Sequence, residues 1–185
     1  WDLYVGRGGS GNKMLIEDNA TVFVTSNVFV GFLATASASQ VIVNNGTLRA
    51  ANISGDATLD VRRGTNVLNA GLVDVDRLLV TNTDGSVVLN GGTLQTRATT
   101  VNNGRVFVVG NGADYAQLAL QGGTHVFFNN LVVPVFGSLS GVGTIVGSVT
   151  IQPGGRLEPG LPIGTLSFNS PAVLQRSTLF DIQRT

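Results

Sequence analysis

The chain has 185 residues, no net charge at pH 7 and no cysteine. Charged residues make up 12%, about half the usual ~25%. This excludes an electrostatic footprint for nucleic acid, and disulfides or thiolate metal sites with it. A hydrophobic share of 43% excludes a disordered chain, and no apolar run is long enough to span a bilayer. The chain opens at Trp1 with no leader-like segment, so it reads as a mature or excised piece of something longer.

In chain order the elements are short apolar runs punctuated by Gly, Asn and Ser. Leu3-Tyr4-Val5-Gly6 precedes a Gly/Ser turn and then Met14-Leu15-Ile16. Val28-Phe29-Val30-Gly31 leads to Val41-Ile42-Val43 and Gly46-Thr47-Leu48. Ala57-Thr58-Leu59-Asp60-Val61, followed by a turn at Arg63-Gly64-Thr65, is a degenerate copy. Leu78-Leu79-Val80 leads to Val87-Val88-Leu89 and Gly92-Thr93-Leu94. Val106-Phe107-Val108-Val109-Gly110 leads to Leu118-Ala119-Leu120 and Gly122-Gly123-Thr124-His125-Val126. Copies beginning at 3, 28, 78 and 106 share one grammar and imply a loose period of about 25 residues.

Strands of three to five residues, rich in Val, Ile, Leu, Thr and Phe, suit a solenoid in which each coil lends one short strand to each of several parallel sheets. The fold class expected is therefore all-β, a right-handed parallel β-helix (β-solenoid) of six to eight coils. Residues 1–136 form degenerate coils and 137–185 terminal coils of the same stack. No segment carries a helical period. In Leu72-Val73-Asp74-Val75-Asp76 the alternation puts apolar side chains in the lumen and carboxylates in water. Glycines after asparagine would supply positive φ at the corners. The rival fold is an antiparallel sandwich with hairpins at Asn45-Gly46, Asp84-Gly85, Asn90-Gly91, Asn103-Gly104 and Asn111-Gly112. Recurrence of one turn at one place in each copy favours the solenoid.

Residues 137–168 change style. Thr144 to Val146, Val149 to Ile151 and Thr165 to Phe168 read as strands, and Pro153-Gly154 and Pro159-Gly160 as turns. Gly141, Gly143, Thr144, Gly154, Gly155, Leu157, Pro159, Gly160, Gly164, Thr165 and Leu166 fall on a pattern that resembles the autotransporter-associated β-strand repeat, the passenger-associated transport repeat of bacterial autotransporters. Leu161-Pro162-Ile163 departs from that pattern, and Leu174 with 177–182 is similar to the strand that follows it. The resemblance implies a right-handed β-helix displayed outside the cell, with a structural or adhesive role carried by a longer parent.

The search for chemistry yields few candidates. A Ser-His-Asp triad could be built only around His125, the single histidine. It follows Gly-Gly-Thr where a neighbouring copy has Leu94, and reads as an outward or rim residue. Gly6-Arg7-Gly8-Gly9-Ser10-Gly11 lacks the following helix and Lys of a phosphate loop, and reads as a flexible corner. Arg62-Arg63 reads as a solvated turn. Asp60, Asp74 and Asp76, with Arg62 or Arg77 as partners, are placed to bind calcium or to form a glycosidic acid/base pair, against the plainer reading of solvated acids that deter sideways pairing. Phe23, Phe29, Phe32, Phe107, Phe127, Phe128 and Phe136 are expected to stack inside the solenoid.

No catalytic, cofactor-binding or metal-binding residue is assigned. The expected function is a non-catalytic structural or adhesive element of a secreted or surface repeat protein. The partners are other copies or the rest of a longer chain at the solenoid ends, and surface glycans or other cells. The rivals are a carbohydrate-active β-helix enzyme and a glycan-binding module.

Overall fold

A computed structural model describes residues 1–160, 164–175 and 179–180. The chain is an all-β solenoid of about 7 turns, with stacked coils of about 24 residues. Every strand pairing among the described residues is parallel, which removes the hairpin sandwich.

Three ladders run along the stack. The first aligns Leu3, Val28, Leu59, Leu78, Thr99, His125, Ile145 and Phe168. The second aligns Met14, Val41, Asn66 and Val87, then continues through Phe107, Leu131 and Val149. The third aligns Val22, Leu48, Val73, Leu94, Leu118, Leu139 and Leu157. Apart from the half-buried residues near the two ends and Val87, these columns are buried and form one core. The period-two pleat explains the arrangement: residues i and i+2 enter the lumen, and i+1 faces out. The long strand Gly64–Val80 serves all three ladders in turn, bending at its corners.

Corners are where backbones of successive coils come closest. Gly46, Gly71 and Gly92 stack at one of them, and a Cβ on Gly71 (φ +93°) would lie 2.2 Å from the Gly46 carbonyl oxygen. Left-handed backbone and lack of room both require glycine there. The expectation that glycines after asparagine carry the positive φ holds at Gly104 and Gly112. At Asn45-Gly46 it fails: Asn45 takes φ 63°, and Gly46 is instead needed because a Cβ would meet Ile16.

The coil length drifts because insertions sit at the corners: Val28 to Leu59 is 31 positions and Leu59 to Leu78 only 19. That drift misplaces the copy starting at 106. Phe107 lies on the second ladder, Leu118 on the third and His125 on the first, one ladder out of phase with the copies at 28 and 78. The first-ladder strand of that coil is Ala98-Thr99-Thr100-Val101, too polar to stand out. Arg156–Pro159, which was not among the three strands expected in this segment, is a strand paired with Gly137–Val146. Leu161-Pro162-Ile163 and most of the 177–182 segment lie outside the described residues.

Candidate functional site

The sequence candidates resolve into separate places. Asp60, Asp74 and Asp76 lie outside the lumen, as the alternation requires, but they are buried rather than solvated. Each is covered by an arginine. Arg62 Nε sits 2.7 Å from Asp60, and Arg49 Nε 3.2 Å from Asp74, which also accepts a 3.3 Å hydrogen bond from Gln95. Asp76 is ion-paired with Arg97 and accepts 2.8 Å from the Asn52 amide. Arg49 and Arg97 come from coils on either side of the Asp74–Asp76 strand segment, so the pairing depends on register and not on sequence proximity. No three of these acids gather as a metal cage among the described residues. Arg77, expected as a partner, makes no ion pair among them.

Above Asp74 and Asp76 lies an open groove of about 590 Å³, lined by Phe23, Arg49, Asn52, Ile53, Ser54 and Arg97 and by neighbouring Thr25 and Ala51. Phe23 and Arg49 of its lining stand in an outward column on the third ladder that continues beyond the groove through Asp74 and Gln95, one register position in successive coils. The Arg49 guanidinium stacks 5.6 Å from the Phe23 ring centre. Because Arg49 meets Asp74 through Nε and Arg97 meets Asp76 through a single Nη, further guanidinium N–H donors remain for a ligand. The groove therefore offers two guanidinium forks beside an exposed phenyl ring and Ile53, while the acids beneath neutralise its charge.

His125 is inside the lumen and fully buried, which corrects the rim placement. Its Nε2–H donates to the Gly122 carbonyl at 2.8 Å, so Nδ1 accepts from the Thr99 hydroxyl at 3.0 Å. Burial holds its pKa below the ordinary imidazole value, and the bond to Gly122 opposes that shift. In the first ladder this pair stands between Leu78 and Ile145, where every hydrogen bond of the neutral ring is met. Asn66 is the opposite case. It sits in the lumen between Val41 and Val87 with neither amide atom partnered.

The phenylalanines divide. Phe107 and Phe127 pack in the core with ring centres 5.4 Å apart. Phe23, Phe128 and Phe136 are exposed, and Phe29 and Phe32 are half-buried on the outside. Phe29 stacks on Tyr4 at 5.1 Å and meets Phe32 edge-on at 4.8 Å. Arg62 lies 4.9 Å over Phe29 and 4.6 Å over Phe32, and Arg63 donates to the Phe32 carbonyl, so Arg62-Arg63 is a built part of this cluster and not a solvated turn. Between Leu3–Val5 and Lys13–Glu17, Gly6 is buried and residues 7–11 form an exposed connection.

The sequence reading missed one surface altogether. Outside the second ladder, Leu15, Ile42, Val67, Val88, Val108 and Val132 form a continuous apolar column. Its signal was present: Met14-Leu15-Ile16, Val41-Ile42-Val43, Val87-Val88-Leu89 and Leu131-Val132-Val133 are apolar at every position. One parity fills the lumen, so the other has to face out.

No family model matches the chain, and no curated protein or solved structure matches it either. The functional reading rests on the geometry and on the sequence pattern of the chain itself.

Proposed function

We propose that this chain is part of a non-catalytic, structural or adhesive β-solenoid of a bacterial secreted or surface-displayed repeat protein. The observation that carries the reading is the use of its reactive side chains. Asp60, Asp74 and Asp76 are each tied to an arginine, and His125 is sealed in the lumen by Thr99 and Gly122. Groups that glycosidic acid/base work would need are thereby committed to structural pairs, between coils at Asp74, Asp76 and His125 and within one coil at Asp60. The likeness of 141–166 to the autotransporter-associated repeat supports display outside the cell. Further coils of a longer chain, or other copies, continue the ladders at the ends, and head-to-tail stacking then gives filaments.

Electron microscopy of the purified chain tests this. Rods or filaments are the expected result, and turnover of pectin, alginate or other polysaccharides that is lost on Asp74→Asn and Asp76→Asn contradicts it. A second reading, a glycan-binding module, is favoured by the groove. Two arginines beside Phe23 suit an acidic sugar, whose carboxylate a guanidinium fork can hold while the ring stacks on the phenyl face. Binding on a glycan array that disappears in Arg49→Ala and Phe23→Ala supports that reading.

A further inference from the structure

The apolar column outside the second ladder has no cover among the described residues. Leu15, Val88 and Val108 are 46%, 38% and 42% exposed. Parallel sheets are normally buried on both faces, and contiguous apolar patches of this kind mark interaction sites. Along the column's flanks stand uncharged hydrogen-bonding side chains: Gln40, Thr65 and Ser86 on one side, Asn44, Asn69 and Asn90 on the other. The charges on this face, Lys13 and Glu17, belong to its first strand, two places to either side of Leu15.

We infer that this face is the seat of a second copy of the chain, packed side by side with its coils running in the same direction. The charges decide the orientation. A two-fold axis along the stack brings the first strand of each copy face to face and antiparallel, with Lys13 of one copy opposite Glu17 of the other on both flanks. The same operation sets Gln40 against Asn44, Thr65 against Asn69 and Ser86 against Asn90. A two-fold axis across the stack would instead press Lys13 and Glu17 against the last coil, where, among the described residues, Pro171 and Gln175 flank Val173 and offer no counter-charge, so that desolvation goes uncompensated.

The size of the face fixes the strength. Six strands at ~4.8 Å spacing by about 15 Å give roughly 400 Å² in projection, below the ~800 Å² per partner of a stable complex. The pair is therefore reversible and concentration-dependent. It goes beyond the structural or adhesive reading, because an enzyme or a binding module built on these coils would present the same face.

Sedimentation velocity on the full chain, from low micromolar to near-millimolar concentration, tests the inference. The expected result is a monomer–dimer shift that Val88→Lys or Val108→Lys weakens about tenfold or more and Phe128→Lys, off this face, leaves alone. Both lysines replace outward side chains, and circular dichroism on each variant checks that the fold is kept. Lys13→Glu should weaken the pair, and combining it with Glu17→Lys should restore it. A chain that stays monomeric throughout overturns the proposal, as does self-association indifferent to both lysine variants. Loss on Val88→Lys with no response to Lys13→Glu overturns the same-direction arrangement.

Discussion

Replacing His125 with leucine should remove a pH dependence that the lumen builds into the protein. The folded state holds the ring neutral, Nε2–H on Gly122 and Nδ1 on Thr99, with its pKa pushed below the ordinary value by burial. The unfolded chain titrates near 6.5. Below that pH the unfolded state binds a proton the folded state does not, so stability falls as pH falls. It is complete above about pH 6.5, and it is lost downward at up to about 1.4 kcal/mol per pH unit until the folded pKa is reached. Because the chain has one histidine, the window is free of other imidazoles. Urea unfolding followed by circular dichroism at about pH 7.5, 6.5 and 5.5 reads the effect, the ordinary carboxylates staying ionised throughout. The wild type should lose stability between the last two, by at most about 1 kcal/mol, and His125→Leu should lose almost none. Equal pH dependence in the two proteins would refute the reasoning, since it would mean that the imidazole is solvated in the folded state.

Other substitutions follow from the same geometry. Asn66→Val removes two unpartnered amide atoms from the lumen at nearly constant volume, and thermal melting should show a gain of about 1–3 kcal/mol. Gly71→Ala meets both a positive φ and the Gly46 carbonyl, so it should destabilise by more than about 1 kcal/mol, measured by the urea midpoint. Arg97→Ala strands the nearly inaccessible Asp76 carboxylate with only the Asn52 amide. It should lower the urea midpoint more than Arg49→Ala, which leaves Asp74 its Gln95 partner, although both arginines are partly exposed and each change is held to about 1–2 kcal/mol.

The stacked architecture was legible because the short apolar strands carry the period-two signal in nearly every coil, as in Leu59-Asp60-Val61. Its phase was not legible at Ala98-Thr99-Thr100-Val101, where a threonine replaces the apolar residue of the first ladder because it holds a histidine. The phenylalanines were misplaced by weighing hydrophobicity above parity. Phe29 lies between Val28 and Val30, which both point inward, so it must point out; Phe107, flanked by outward Val106 and Val108, must point in. The same parity separates Phe127 from its neighbour Phe128. The groove was hidden for another reason. Phe23, Arg49 and Arg97 are far apart in sequence and meet only through coils of unequal length, which no single stretch of the sequence records.

Spin-label distances along one outward column test the stacking most directly, and the absence of cysteine leaves every site free for labelling. Thr21, Thr93, Gln117 and Arg156 share one register line on the third ladder, with Thr93 three coils, Gln117 four and Arg156 six from Thr21. At ~4.8 Å per coil the backbone separations from Thr21 should grow linearly, to about 14, 19 and 29 Å. Distances that fail to rise in that order, or that fold back as antiparallel neighbours would make them, contradict the parallel solenoid.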